Sequence, residues 1–272
     1  MTYLDEARIM LDVEYSTLYK DAGGDKYAIS FMDEKIKHSY QVLGAGNYLI
    51  AHEDCFLGLD DKIKDKLKAT VLLHDIARFR EILAIQNGGK LDHGEYGAKM
   101  LSVTENFSSI DVLLPIKHHG HLIEFLYNDD EYIKLSDDKK DWVKKVSYLV
   151  RDADKIANFY LLVRAFDEME KIFFVEDRFE NPYNLKPSES VADSFMKFMA
   201  VNRGNVKNFA DQALMILAWI FDLNYKYSFV YLEKLKIVDK ICDNFSKFFE
   251  KEDANMYKSL IKKYVQDKIA KC

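Results

Sequence analysis

The chain has 272 residues, of which 49% are hydrophobic, and a net charge of −6. This apolar content is enough to bury the core of one domain, with or without a helical extension. An acidic chain is not typical of proteins that bind duplex nucleic acid through its phosphates, because those proteins carry a basic stripe.

Nothing in the sequence predicts export or a membrane anchor. The N-terminal residues place acids among the apolar positions, whereas a signal peptide combines a basic start with a continuous apolar run. The most apolar stretch, 213–221, is far too short to cross a bilayer. Cys55, Cys242 and Cys272 are far apart and form no CxxC motif, which is typical of reduced thiols. We therefore expect a cytoplasmic protein.

The chain contains few helix breakers, with only 3 Pro and 11 Gly, and this scarcity favours long helices. Two predicted helices carry a histidine on their apolar face. The first covers 31–52 and includes His38. The second covers 61–85 and includes His74, with Asp75 about 100° further around the helix on the inner side.

A third predicted helix begins near Ser136, a plausible N-cap, and continues to about Phe174. Asp154 lies within its apolar stripe, where a carboxylate is costly unless a cation pairs with it. The Pro-containing loop that follows predicts a boundary. We expect a core unit over 1–175 and a C-terminal helical extension over 176–272 that packs on it. Whether the extension forms a lid, a homodimer interface or neither stays open.

His38, His74, Asp75 and Asp154 would together offer two imidazoles and two carboxylates, a ligand set suited to Mn, Fe, Co, Ni or Zn. Each residue also has a plain structural interpretation. A lone histidine on an apolar face is more often part of the core, and Asp154 could instead pair with Arg151. The prediction depends on all four occurring in order on inward stripes.

The same residues resemble the motifs of the HD-domain superfamily of metal-dependent phosphohydrolases. The matching segments are KHSYQV around His38, LLHDIARF around His74, and RDADKIANF around Asp154, within a resemblance that covers residues 28 to 165. The resemblance implies an all-α HD-domain bundle, here with additional C-terminal helices.

The resemblance also implies one or two divalent metal ions. Dinuclear members of the superfamily hold a second ion through further histidines, which match His93 and one of His118 and His119 here. The spacing from Ile116 favours His119, and Asp75 would bridge the two ions. His93 could instead be an exposed loop residue or a phosphate donor in a one-metal site.

Phosphate chemistry also requires cations near the metal site. Arg78 and Lys155 are the first candidates. Arg78 follows His74 by one helical turn, and Lys155 directly follows Asp154. Weaker candidate cations are Arg80, Arg151 and Lys35. Two candidate general acids are Glu81 and Asp92.

The expected activity is hydrolysis of a phosphate ester or anhydride in a nucleotide or related small metabolite. Two alternatives of different class stay open. One is a di-iron oxygenase, because some members of this superfamily use a six-ligand di-iron site for oxygenase chemistry. The other is a non-catalytic domain that binds a nucleotide.

Overall fold

The computed structural model describes residues 1–270. Those residues form sixteen α-helices and four short 3-10 helices, with no strand among them, so the all-α prediction is confirmed. The chain divides into two compact units, the first over Met1–Asp154 and the second beginning at Lys155.

The first unit contains nine complete helices and most of a tenth. They are α1 (Tyr3–Asp21), α2 (Lys26–His52), α3 (Asp54–Leu57), α4 (Asp61–Leu72), α5 (Arg78–Gln86), α6 (His93–Leu101), α7 (Ile110–His118), α8 (Ile123–Tyr127), α9 (Asp130–Ile133) and α10 (Asp137–Arg164).

The second unit contains the end of α10 and six further helices. They are α11 (Phe166–Phe173), α12 (Glu189–Met196), α13 (Phe209–Leu217), α14 (Lys226–Lys234), α15 (Ile237–Phe245) and α16 (Lys251–Ala270). Short 3-10 helices cover Glu176–Arg178, Arg203–Asn205, Ala218–Asp222 and Ser246–Phe248.

The core of the first unit lies between α1, α2, α4, α5, α6 and α7. Helix α1 packs on α4 and α5, α2 packs on α4 and α5, and α6 packs on α7. Leu11, Met32, Leu72, Phe79 and Phe107 are completely buried there. Burial of each such side chain contributes roughly 1.5–3 kcal/mol, which fixes the helices that carry the histidines.

Two glycines allow close helix contacts in this unit. A Cβ atom at Gly46 of α2 would lie 2.8 Å from the side chain of Val71 of α4. A Cβ atom at Gly94 of α6 would lie 2.6 Å from the carbonyl oxygen of Lys117 of α7. Because neither contact leaves space for a side chain, glycine brings each pair of backbones together.

The helix predicted over 61–85 is interrupted between α4 and α5. Residues 73–77 form a turn that includes His74 and Asp75, so the expectation that both lie on a helix is wrong. All five residues of the turn are buried. Successive side chains of a continuous helix point 100° apart, so a straight helix would expose some of them.

The helix predicted from Ser136 to Phe174 is also divided. Helix α10 ends at Arg164, and α11 begins at Phe166. Ala165 between them has non-helical backbone angles. The second unit has aromatic packing of its own, with the rings of Phe174 and Phe248 stacked 4.2 Å apart.

None of the helices in the described part of the chain combines the length and the apolar character needed to cross a membrane. Neither Cys55 nor Cys242 forms a disulfide bond. Cys272 lies outside the described residues.

Candidate metal centre

His74 lies in the turn between α4 and α5 and is completely buried. Its Nδ1 is 2.9 Å from the carbonyl oxygen of Val71, to which it donates a hydrogen bond. This bond leaves Nε2 with a lone pair, and that atom has no hydrogen-bond partner among residues 1–270. Burial lowers the pKa of His74 to about 4, which favours the neutral imidazole that binds metals.

His119, directly after α7, repeats this arrangement. Its Nδ1 donates to the carbonyl oxygen of Ile116 at 2.7 Å, and its Nε2 lies 3.2 Å from Oδ1 of Asp75. With the proton on Nδ1, the Nε2 lone pair faces a carboxylate oxygen. Two acceptors at this distance repel each other unless a cation lies between them.

His93 is the first residue of α6, after the N-cap Asp92. Its Nδ1 lies 3.2 Å from Oε1 of Glu81, a carboxylate that orients the ring. Its Nε2 lies 3.1 Å from Nε2 of His119 and 3.3 Å from Oδ1 of Asp75. Burial lowers the pKa of His93, which favours its neutral form.

His38 of α2 and Asp154 of α10 complete the cluster. His38 Nε2 lies 2.9 Å from Oδ1 of Asp154, and that oxygen is 3.7 Å from His74 Nε2. Although burial opposes it, the hydrogen bond from His38 and the nearby histidines hold the pKa of Asp154 well below its ordinary value. Asp154 is therefore an ionised acceptor.

Asp75 lies at the centre, and its two oxygens face different histidines. Oδ1 faces His93 and His119, at 3.3 and 3.2 Å. Oδ2 faces Nε2 of His74, at 3.7 Å. The possible ligand atoms form two groups that share this carboxylate, namely His38, His74 and Asp75, and Asp75, His93 and His119.

These residues fit divalent metal ions. Their nitrogen and oxygen donors suit the transition metals named above. The buried lone pair of His74 and the facing nitrogens of His93 and His119 are arrangements that a cation stabilises. Outer acceptors also hold the far nitrogens of three imidazoles, as is usual for ligating histidines.

Two cations lie beside the cluster. Arg78 Nε is 3.4 Å from Asp75, and the same guanidinium pairs with Glu81. Lys35 Nζ is 3.5 Å from Oδ2 of Asp75. Burial would raise the pKa of Asp75, but Arg78 and Lys35 hold it well below its ordinary value. The sequence ranked Lys35 below Lys155, yet Lys35 lies one helical turn before His38 and adjoins the cluster.

The structure does not bring every candidate to the cluster. His118 points elsewhere, with its Nε2 2.8 Å from Asp129, so of the two adjacent histidines His119 faces Asp75. Lys155 forms an ion pair with Asp222 at 2.9 Å. Asp92, a candidate acid, caps α6 and pairs with His121 at 3.1 Å.

Two of the remaining candidate cations also have other partners. Arg80 pairs with Glu14 of α1, and its Nη2 lies 2.9 Å from that carboxylate. Arg151, which the sequence allowed as an alternative partner of Asp154, donates from Nη1 to the backbone carbonyls of His118 and His119 at the end of α7. Glu81, a candidate acid, accepts from His93 and Arg78.

Comparison with known proteins gives one family match. The family model described as HD domain matches residues 36–181, more than half of the chain, and this range includes every residue of the cluster. No curated protein and no solved structure gives a significant match.

Proposed function

The chain belongs to the HD domain family, and from this premise we propose that it is a metal-dependent phosphohydrolase. Its proposed substrate is a phosphate ester or anhydride in a nucleotide or related small metabolite. The observation that carries the proposal is the position of Asp75, whose two oxygens face separate histidine groups. A shared carboxylate of this kind would hold two metal ions close together, and two-metal sites stabilise both the attacking and the leaving oxygens of an in-line displacement at phosphorus.

Each metal ion would have its own ligands. One would be held by His38, His74, Asp75 and Asp154, and the other by Asp75, His93 and His119. When bound, such ions supply the Lewis acidity that polarises a phosphoryl oxygen and acidifies an attacking water. Mn, Fe, Co, Ni and Zn all suit these donors.

The remaining chemistry belongs to the cations at the edge of the cluster. A phosphoryl group accumulates negative charge during displacement, and preorganised cations stabilise it. Arg78 is about three-quarters buried and already oriented by Glu81, so it offers fixed N–H donors to phosphate oxygens. Lys35 offers a second positive charge on the Asp75 Oδ2 side. We assign phosphate binding to these two residues, and Lys155 is held instead by Asp222.

We propose a nucleotide as substrate because of the family resemblance. The metals would add positive charge at the site of a protein whose net charge is −6. We further propose that the enzyme acts in the cytoplasm, where thiols stay reduced, because Cys55 and Cys242 are free thiols.

The test is hydrolysis of a panel of phosphomonoesters, nucleotides and dinucleoside polyphosphates. Phosphate release measures the first two classes, and chromatography of the nucleotide products measures the third. Protein stripped with a chelator would be assayed before and after addition of Mn²⁺. We expect activity to depend on the metal and to fall by at least about 100-fold in Asp154→Asn. Asp141→Asn is the matched control, because Asp141 is an exposed residue of the same helix that pairs with Lys145.

Other outcomes would favour the two alternatives. Oxygen consumption by the iron-loaded protein, without phosphate release, would identify an oxygenase. Nucleotide binding without turnover under every metal would identify a non-catalytic binding domain. Either result would overturn the proposed hydrolysis.

A further inference from the structure

The backbone directly after α7 carries one of the cluster histidines. Helix α7 ends at His118, and His119 follows it. The last carbonyl groups of a helix lack partners within the helix, so this segment needs donors from elsewhere. The direction in which this backbone segment leaves α7 sets where the side chain of His119 lies relative to Asp75.

Arg151 of α10 supplies those donors. Its Nη1 lies 3.2 Å from the carbonyl oxygens of both His118 and His119, and it also donates to the carbonyl of His121. Arg151 is 2% exposed. A buried guanidinium at the C-terminal end of a helix interacts favourably with the helix dipole, and hydrogen bonds from a charged donor are strong.

The fixed segment borders the second histidine group on two sides. The side chain of His119 extends to Asp75, and Gly120 lies against the ring of His93. A Cβ atom at Gly120 would be 3.8 Å from Nε2 of His93. A shift of this backbone would therefore move one ligand of the second group and crowd the other.

We propose that Arg151 is a positioning residue for the second metal site, which it sets by holding the backbone of His119. The inference rests on the proposed two-metal centre. Arg151 precedes Asp154 by three residues on α10, so one helical turn serves both groups. Asp154 faces the first group, and Arg151 holds the chain that carries the second.

The guanidinium suits this function better than an ammonium group. Its planar fork presents N–H donors in a fixed geometry, whereas lysine offers a compact charge on a flexible stem. Lysine in this position would keep the charge near the end of α7 but would not hold the carbonyls in one arrangement.

The experiment is a titration of the metal-free full-length protein with Mn²⁺, followed by the free-ion signal. The variants are Arg151→Met, Arg151→Lys and, as control, the exposed Arg164→Met of the same helix. We expect the second ion to bind about 10- to 100-fold more weakly in Arg151→Met, as for other residues that orient ligands. The first ion should bind as in the unmodified protein, and Arg151→Lys should show an intermediate loss.

His93→Ala provides the second arm, since it removes one ligand of the same group. If Arg151 acts only on that group, adding Arg151→Met to His93→Ala should leave binding of the remaining ion unchanged. A further loss in the double variant would mean a general structural role and would overturn the proposal.

Two other results distinguish failure of the Arg151 proposal from failure of the proposed two-metal centre. Two ions bound normally by Arg151→Met would overturn the function of Arg151 and leave the proposed centre intact. A single ion in the unmodified protein would overturn the two-metal centre itself, and the function of Arg151 with it.

Discussion

The buried imidazole of His74 makes the metal-free protein sensitive to acid. Its pKa in the folded chain is about 4, below the ordinary 6.5, because burial disfavours its charged form. Between these values the unfolded chain binds a proton that the folded chain does not. The free energy of unfolding must therefore decrease as pH falls from about 6.5 towards 4.

We predict that His74→Gln weakens this pH dependence in the metal-free protein. The measurement is the melting temperature at several pH values from 7 to 5. The lowered pKa values of His93 and His118 act in the same direction, so part of the slope should persist. His52→Gln, at an exposed position, is the control. An unchanged slope in His74→Gln would contradict the proposed neutral state of His74.

Arg78 and Arg80 are two residues apart and have different surroundings, which makes them a matched pair. Arg78 adjoins Asp75, whereas Arg80 pairs with Glu14 of α1 and lies over the ring of Tyr96. We predict that Arg78→Lys lowers kcat/KM for phosphate release by about 10-fold or more, because lysine loses the fixed fork. Arg80→Lys should stay within about threefold. Equal losses in the two variants would contradict phosphate binding by Arg78.

The sequence was informative about individual residues where helical spacing applied. Counting one turn from Ile116 favoured His119 over His118, and the structure has His119 facing Asp75. Adjacency in the sequence was less informative. Lys155 was chosen because it follows Asp154, but consecutive helical residues point 100° apart, and Lys155 pairs with Asp222.

At the scale of elements, the contact between α6 and α7 determines where His93 and His119 meet. Gly94 follows His93, and a methyl group there would lie 2.6 and 3.1 Å from two carbonyl oxygens of α7. We predict that Gly94→Ala destabilises the fold by about 2 kcal/mol or more. The substitution should also weaken binding of the second metal ion by separating the two helices.

Gly44→Ala is the control for this prediction. Gly44 is also helical, and a Cβ atom there would have no neighbour within 4 Å. Alanine should be neutral or stabilise the protein by up to about 1 kcal/mol, as in other helix interiors. Thermal unfolding measures both variants. Similar melting temperatures for the two would contradict the tight contact between α6 and α7.

The helices themselves could be predicted more easily than their interruptions. The apolar stripes indicated helices over 31–52 and 61–85, but nothing in LLHDIARF marks the turn after Leu72. That turn contains neither Gly nor Pro and is stabilised by burial of all its residues, a tertiary effect. Lys236 shows the same limit, since it adopts a left-handed conformation between α14 and α15 without being glycine.

At the scale of the whole molecule, every residue of the cluster lies in the unit Met1–Asp154. The sequence instead predicted a boundary at 175/176, from the Pro-containing loop, and the packing of the C-terminal extension on the core stays a prediction. The family match, over 36–181, includes the motif residues. The C-terminal helices carry no motif, so neither their function nor a homodimer could be derived from the sequence.

Metal binding should therefore protect the first unit, and not the second, from backbone hydrogen exchange. We predict that Mn²⁺ slows backbone hydrogen exchange in α2, α6, α7 and the part of α10 up to Asp154. At a concentration 100 times Kd, mass action adds about 2.7 kcal/mol, or up to roughly 100-fold in exchange rate. Helices α14, α15 and α16 are the internal control, with little expected change. Equal protection of those helices would contradict a site confined to the first unit.

The most direct measurement is the metal content of the full-length protein purified without chelator, determined by elemental mass spectrometry. A two-metal centre predicts about two transition-metal ions per chain, about one in His93→Ala, and about two in the control His52→Ala. About one ion per chain, unchanged in His93→Ala, would contradict the two-metal centre and indicate a mononuclear site. No metal in a folded protein that also fails to take up Mn²⁺ would contradict metal-dependent hydrolysis altogether.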